Sequence, residues 1–115
     1  MKIVRFQEVK QDKRNDGRTV RKILSHIFKK PTNSMALYFC DVPKGKFGEH
    51  YHTESEEIIM FPAGGKITIN GEDYEMNMWD FVVLQPGDKH GFSGESKDII
   101  HLAMKFPDEP DKVGT

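Results

Sequence analysis

Three histidines and one glutamate form the most chemically informative pattern in this sequence. His50 and His52 are two residues apart, Glu57 follows five residues after His52, and His90 ends the segment Pro-Gly-Asp-Lys-His at 86–90. Imidazole nitrogens and a carboxylate oxygen are common ligands of divalent transition metals. We therefore predict that these four side chains form a metal site.

The spacing of these residues suits β-strands. Side chains two residues apart in a strand project from the same face, so His50 and His52 can address one point in space. A hairpin through residues 53–56 would set Glu57 opposite His52 on the neighbouring strand, and residues paired in that way share a face. His90 would then have to arrive from a distant strand.

The elements that must position these side chains are predicted to be strands throughout. Short apolar or alternating segments recur at a spacing of about 8–12 residues with turn residues between them, a pattern typical of an all-β sandwich or barrel. Asn70-Gly71 is the strongest hairpin signal. Residues 43–48 and 95–98 are predicted to be turns or breaks. The predicted strands are residues 19–27, 35–42, 50–52, 57–61, 66–69, 74–76, 81–84, 91–94 and 99–106.

Length and charge exclude several classes of function. The chain has 115 residues, so we expect a single domain over 1–115, with its barrel core at about 18–106 and a polar, extended or mobile tail at 107–115. Its net charge of −1 gives no electrostatic reason to expect nucleic acid or a membrane surface as a partner. The sequence shows neither a signal peptide nor a spanning segment, and we expect a cytoplasmic protein.

Cys40 is the one cysteine in the sequence, so an intrachain disulfide cannot form. It lies in the apolar run 35–40, where we expect a buried, inert thiol because no neighbouring residue in the sequence would activate it.

The ligand pattern resembles the two motifs of the cupin superfamily. The first motif has the form G-x(5)-H-x-H-x(3,4)-E-x(6)-G. Gly45 stands one residue closer than usual to His50, whereas Glu57 and Gly64 are separated by the expected six residues. The second motif has the form G-x(5)-P-x-G-x(2)-H-x(3)-N. Its centre matches at Gly87 and His90.

The second motif departs from the pattern at three positions. Trp79 occupies the place of its leading glycine, Gln85 the place of its proline, and Gly94 the place of its closing asparagine. The resemblance also bears on the choice between Glu56 and Glu57, because the superfamily tolerates both spacings. Glu57 is preferred because it sets Gly64 at the right distance, and strand alternation would then point Glu56 away.

The resemblance implies a double-stranded β-helix, a jelly-roll barrel of the cupin type. It also implies that His50, His52, Glu57 and His90 hold a metal in the barrel mouth, with one or two coordination positions left for water or substrate. Such a ligand set suits Fe, Mn, Ni, Co, Cu or Zn, and the sequence does not distinguish among them.

The function implied is that of a metal-dependent enzyme acting on a small organic molecule. Dioxygenase chemistry and isomerase or lyase chemistry both fit, and the catalytic acid or base is unknown. The alternative is a non-catalytic metal-containing cupin that binds or senses a small ligand.

Further residues were assigned from strand alternation. Tyr38, Phe61 and Phe92 are candidates for the pocket lining, although aromatic residues more often simply fill a core. Along residues 99–106 the apolar set, which begins with Ile100, is predicted to face the barrel. His101 would then be exposed or at an interface. We also expect a homodimer, formed through outward apolar residues: Tyr51, Ile58 and Met60.

Overall fold

A computed structural model describes residues 1–43, 45–46, 48–94 and 99–114. In this part of the chain the helical structure is one 3-10 turn at Phe6–Glu8, and no helix is long and apolar enough to cross a bilayer. The turn predicted at 95–98 lies outside the described residues. The strands are β1 (Lys2–Val4), β2 (Gln11–Lys13), β3 (Thr19–Arg21), β4 (Ala36–Val42), β5 (Gly45–Lys46), β6 (His50–His52), β7 (Glu56–Phe61), β8 (Gly65–Ile69), β9 (Glu72–Met76), β10 (Asp80–Leu84), β11 (His90–Gly94), β12 (Ile99–Phe106) and β13 (Lys112–Gly114).

Two antiparallel sheets form a double-stranded β-helix, which confirms the predicted fold class. One sheet has the strand order β1-β10-β7-β12-β4, and the other has the order β13-β6-β11-β8-β9, with β5 paired to β11. Strands β2 and β3 form a separate hairpin. Except for β8 and β9, which form the hairpin expected at Asn70-Gly71, neighbours in each sheet are distant in sequence, so residues far apart along the chain meet in the interior.

Apolar side chains from both sheets fill the space between them. Glu57 and His90 lie near the beginning of β7 and β11, and the four predicted ligands lie at that end of the barrel. The core residues are Ile59, Phe61, Val82, Leu84, Ile99 and Ala103 from one sheet and Ile67, Ile69, Met76 and Phe92 from the other.

The structure differs from the predicted strands in three places. The strand expected at 19–27 ends at Arg21, and the break expected at 43–48 contains the short strand β5. The tail beyond residue 106 was predicted to be extended or mobile, but β13 pairs with β6 there, with Lys112 opposite His52. Residues Lys112–Gly114 are extended, which is one of the two forms expected, and their backbone completes an edge of the six-stranded sheet.

The inward face of β12 is the reverse of the prediction. His101 is 4% exposed and Lys105 is 6% exposed, whereas Ile100 is 38% exposed. The register explains the difference, because Lys105 is paired with Glu57 across β12 and β7. Paired residues share a face, so the set that contains His101 and Lys105 faces the interior together with Glu57.

The outer face of the edge strand β4 carries exposed apolar side chains. Leu37 is 62% exposed and Phe39 is 70% exposed. A patch of this kind on a sheet edge is typical of interaction surfaces. The homodimer stays a prediction. The residues expected at its interface are less exposed than predicted, because Ile58 is buried and Met60 and Tyr51 are half-buried.

Three motif positions have the left-handed backbone that favours glycine. Gly64 has φ +76° and Gly87 has φ +89°. Trp79, at the place of the leading glycine of the second motif, has φ +70°. The backbone at this motif position is therefore left-handed even though tryptophan stands in place of glycine. At Gly64 a Cβ atom would also lie 2.7 Å from the carbonyl oxygen of Met76.

We expect Gly64→Ala to destabilise the fold more than Gly71→Ala. Gly71 also has a positive φ but has open space around it, so alanine there should lower the free energy of unfolding by about 1 kcal/mol. The added clash at Gly64 should bring its loss to about 2–4 kcal/mol. Urea unfolding of both variants measures the difference, and equal losses would contradict a steric requirement at Gly64.

Candidate metal centre

Strands β6 and β11 bring the three histidines together. His50 and His90 are direct partners across these strands, and their ring centroids are 4.3 Å apart. His52 follows two residues along β6, with its ring 5.5 Å from that of His50. The backbone N–H of Gly87, just before β11, donates to the carbonyl of His52 at 2.8 Å. Gly87, which has a positive φ, therefore makes the backbone hydrogen bond that joins the two motifs.

Glu57 reaches the histidines from the opposite sheet. The prediction that β6 and β7 form a hairpin is wrong, because both edges of β6 are occupied by β11 and β13. The chain crosses between the sheets after His52 and enters β7 beside β10 and β12. Glu57 then faces the imidazoles across the interior, with Oε1 3.0 Å from Nε2 of His90 and Oε2 3.9 Å from Nε2 of His52.

The four side chains form a candidate metal group. One ligand atom from each of His50, His52, Glu57 and His90 lies within 4.8 Å of the others. Among the described residues, the buried Nε2 of His52 and Oε1 of Glu57 have no hydrogen-bond partner. Oε1 of Glu57 and Nε2 of His90 are therefore close to each other, but the geometry of the contact is not that of a hydrogen bond. Buried polar atoms without partners are rare, and a cation between them would satisfy both.

The ring nitrogens that face away from the group are held in place. Nδ1 of His90 donates to the carbonyl of Asp88 at 2.9 Å, and Nδ1 of His52 donates to the carboxylate of Asp111 at 3.1 Å. Because both acceptors can only accept, each Nδ1 carries a hydrogen, and Nε2 is the ring atom that faces the group. This arrangement is typical of histidines that bind metals. The residues present therefore fit a divalent transition metal.

Asp111 connects the C-terminal segment to the site. Its Oδ2 accepts the backbone N–H groups of Glu54 and Ser55, each at 2.8 Å, and its Oδ1 accepts from His52 and, at 3.3 Å, from Nζ of Lys105. Burial raises the pKa of Asp111, but these donors outweigh it and hold the pKa well below its usual range. Sequence reasoning missed Asp111 because it stands in a polar tail outside both motifs.

Burial and neighbouring charges shift the pKa values of His50 and Glu57 toward the forms that can bind a cation. Burial, followed by the nearby His90 and Lys112, lowers the pKa of His50 to about 4. Burial raises the pKa of Glu57, but the neighbouring imidazoles, His90 first, lower it overall. At neutral pH the site therefore offers neutral imidazole at His50 and ionised carboxylate at Glu57.

Glu56 lies on the other face of β7. It accepts from the backbone N–H of Lys29 at 3.1 Å and lies 3.0 Å from Nε2 of His26. This pair packs outside the barrel interior, as strand alternation requires. The structure therefore brings Glu57 to the histidines and gives Glu56 a separate partner.

The candidate metal group opens into a cavity of about 550 Å³. Tyr38 and Phe92 line it, whereas Phe61 is fully buried in the core with its ring centroid 6.3 Å from that of Phe92. Cys40 also lines the cavity, and burial, followed by the charge of Glu57, raises the pKa of its thiol. The cavity residues that sequence reasoning did not place here include His101, Ala103, Lys105 and Lys112.

The fold is shared with solved proteins of low sequence identity. A cupin protein from Bacteroides fragilis has a TM-score of 0.59 and 18% identity over 80% of this chain and 89% of its own. A DMSP lyase from Ruegeria pomeroyi has a TM-score of 0.63 and 23% identity over 71% of this chain and 43% of its own. No protein-family model matches the sequence, and no curated protein matches it.

Other structural neighbours carry further activities in their names. A salicylate 1,2-dioxygenase from Pseudaminobacter salicylatoxidans has a TM-score of 0.55 and 15% identity over 63% of this chain and 21% of its own. A sugar phosphate isomerase of the cupin superfamily from Silicibacter pomeroyi has a TM-score of 0.55 and 15% identity over 64% of this chain and 51% of its own. Lyase, dioxygenase and isomerase proteins thus share this architecture.

We expect Asp111→Asn to weaken metal binding. The amide removes the charge and cannot accept from all four donors, so His52 loses its orientation. The affinity for Zn(II), measured by competition with a chromophoric chelator, should fall about 10- to 100-fold. Asp108→Asn, in the same segment but at an exposed carboxylate, is the matched control and should bind like the parent. Equal affinities for the two variants would contradict this role of Asp111.

Proposed function

We propose that this chain, which has the cupin fold, is a metal-dependent enzyme acting on a small organic molecule. Its metal would be a divalent transition metal bound by His50, His52, Glu57 and His90. One observation carries the proposal: the unpartnered Nε2 of His52 and Oε1 of Glu57 converge in the wall of a cavity of about 550 Å³. A volume of this size accommodates a small ligand.

The four ligands would leave coordination positions open toward the cavity. A structural metal is usually enclosed by its protein ligands, whereas a catalytic metal keeps a position for water or substrate. When bound, the metal supplies either Lewis-acid polarisation of a substrate oxygen or a redox centre for oxygen chemistry. Three imidazoles and one carboxylate suit Fe, Mn, Ni, Co, Cu or Zn rather than Ca or Mg.

The chain's own residues bind, orient and exclude water. Asp111 fixes the ring of His52, and the carbonyl of Asp88 fixes that of His90. Glu57 contributes one negative charge, which lowers the net charge of the loaded site. Apolar side chains on the cavity wall, such as Ile59 and Phe92, keep bulk water from the inner part of the site and favour a ligand with an apolar portion.

Two reaction classes remain consistent with this site. The named dioxygenase, lyase and isomerase neighbours support metal-dependent chemistry on this fold, and one fold hosts many reactions. Oxygen-dependent turnover would assign the dioxygenase class, whereas turnover without oxygen would assign the isomerase or lyase class. A ligand that co-purifies and is bound without chemical change would assign the alternative function of a binding or sensing module.

We expect the ligand variants His52→Ala and Glu57→Gln to lose bound metal. Each removes one of four ligand atoms, so the loss of affinity should exceed the roughly 10- to 100-fold change expected for an outer partner. Metal content after anaerobic purification is measured by mass spectrometry. The matched controls are Glu56→Gln, on the other face of β7, and His26→Ala, at the histidine that contacts Glu56; both should keep the metal.

Turnover is then screened on the parent protein loaded with Fe(II), Mn(II), Ni(II) or Zn(II). Catechols, β-diketones, thiols and sugar phosphates cover the oxygen-dependent and oxygen-independent classes. Turnover that is lost in His52→Ala and kept in His26→Ala would support the enzyme proposal. Metal retention by both ligand variants, or no turnover with any metal, would contradict it.

A further inference from the structure

His101 is a buried side chain with one ring nitrogen that has no hydrogen-bond partner among the described residues. It lies on the inward face of β12, is 4% exposed and lines the same cavity as the candidate metal group. In the described part of the chain its Nδ1 is buried without a hydrogen bond. Because buried polar groups nearly always have partners, this one calls for an explanation.

Packing explains where the ring of His101 lies but not why it is an imidazole. The ring stacks on Phe92 with centroids 4.4 Å apart and an angle of 18° between the planes, and Phe61 lies 6.0 Å away. These contacts fix the plane of the ring, and among the described residues they leave Nδ1 without a hydrogen-bond partner. A purely apolar side chain would fill the same position without burying a polar atom, so the imidazole costs stability here.

We infer that His101 is the inner hydrogen-bonding contact for the small molecule held in the cavity. The inference rests on the proposed function, in which the outer end of that molecule occupies the open position at the metal. His101 is then a specificity-determining residue: it holds the ligand's second polar group, and the geometry assigns it no metal contact.

The surroundings of His101 indicate the chemistry of the group it would bind. Burial first, with His90 contributing, lowers its pKa to about 4 and outweighs the opposing charge of Glu57, so the ring is neutral near pH 7. A neutral imidazole has one N–H donor and one acceptor nitrogen and suits a hydroxyl or carbonyl group. Its cross-strand partner Cys40 offers a thiol, which is a weak hydrogen-bonding group.

The other polar group nearby on the same face of β12 is already engaged. Nζ of Lys105 donates to the carbonyl of Glu109 and to Oδ1 of Asp111. Ala103, between His101 and Lys105, is apolar, as is its cross-strand partner Ile59. The ligand class that fits is a small molecule with a metal-binding group at one end, an apolar or aromatic body, and a hydroxyl or carbonyl group on that body.

Hydroxamate probes test this inference on the full chain loaded with Zn(II). Benzohydroxamate supplies a metal-binding end and an aromatic body, and its 3-hydroxy and 4-hydroxy derivatives add one hydroxyl at two positions. Calorimetry should show at least one hydroxy derivative binding the parent protein about five- to tenfold more tightly than benzohydroxamate, the gain expected from one hydrogen bond. His101→Phe should abolish this preference and retain the metal.

Three further variants separate a ligand contact from a structural role. His101→Leu should behave like His101→Phe, and His101→Gln should recover part of the preference because its amide can donate and accept. Ile100→Val, on the outward face of the same strand, leaves the cavity wall unchanged and should keep the preference. Thermal unfolding of the metal-free proteins should show that His101→Phe and His101→Leu are at least as stable as the parent.

The outcomes distinguish this inference from the proposed function. If the probes bind but no hydroxy derivative is preferred, or if the preference survives in both His101→Phe and His101→Leu, the role of His101 is overturned and the metal site stands. If the loaded protein binds none of the hydroxamates, the open coordination position is contradicted and the inference fails with it.

Discussion

The approach of Glu57 to three imidazoles across the barrel interior is the constraint on which the rest of the site depends. The histidines belong to one sheet and the glutamate to the other, so the group exists only when both sheets have closed on their common core. An ionised carboxylate buried among apolar side chains is costly unless it is paired. A cation bound between the carboxylate and the imidazoles would provide that pairing. Folding and metal binding should therefore be thermodynamically coupled.

The C-terminal segment extends this coupling to the end of the described chain. Asp111 ties the loop after β6, the ring of His52 and the ammonium group of Lys105 into one buried network. Strand β13 then holds the segment against β6. At the same time Nδ1 of His101 remains unpartnered inside the cavity. The fold thus satisfies the outer nitrogens of His52 and His90, and among the described residues it leaves polar atoms without partners where a metal and a ligand would lie, a pattern common at functional sites.

The all-β fold and the four residues of the candidate metal group could be predicted from the sequence. Both predictions use strand period and motif spacing, which are local properties of the sequence. His50 and His52 share a face in any strand, and glycine permits the left-handed backbone observed at Gly64 and Gly87. The hairpin between β6 and β7 was wrong because sheet membership depends on which edges distant strands occupy. His101 was assigned to the wrong face because both alternating sets of β12 contain apolar residues, and the register with β7 decides between them. Asp111 had no local signal, since it meets His52 across 59 residues of chain.

The most direct test of the central claim is anomalous diffraction from crystals of the metal-loaded protein, recorded at the absorption edges of the candidate metals. The account predicts one strong peak bound by His50, His52, Glu57 and His90 at about 2.0–2.2 Å, with at least one further position open to the cavity. A peak at another place, or a shell closed by an additional protein ligand such as Asp111, would contradict it.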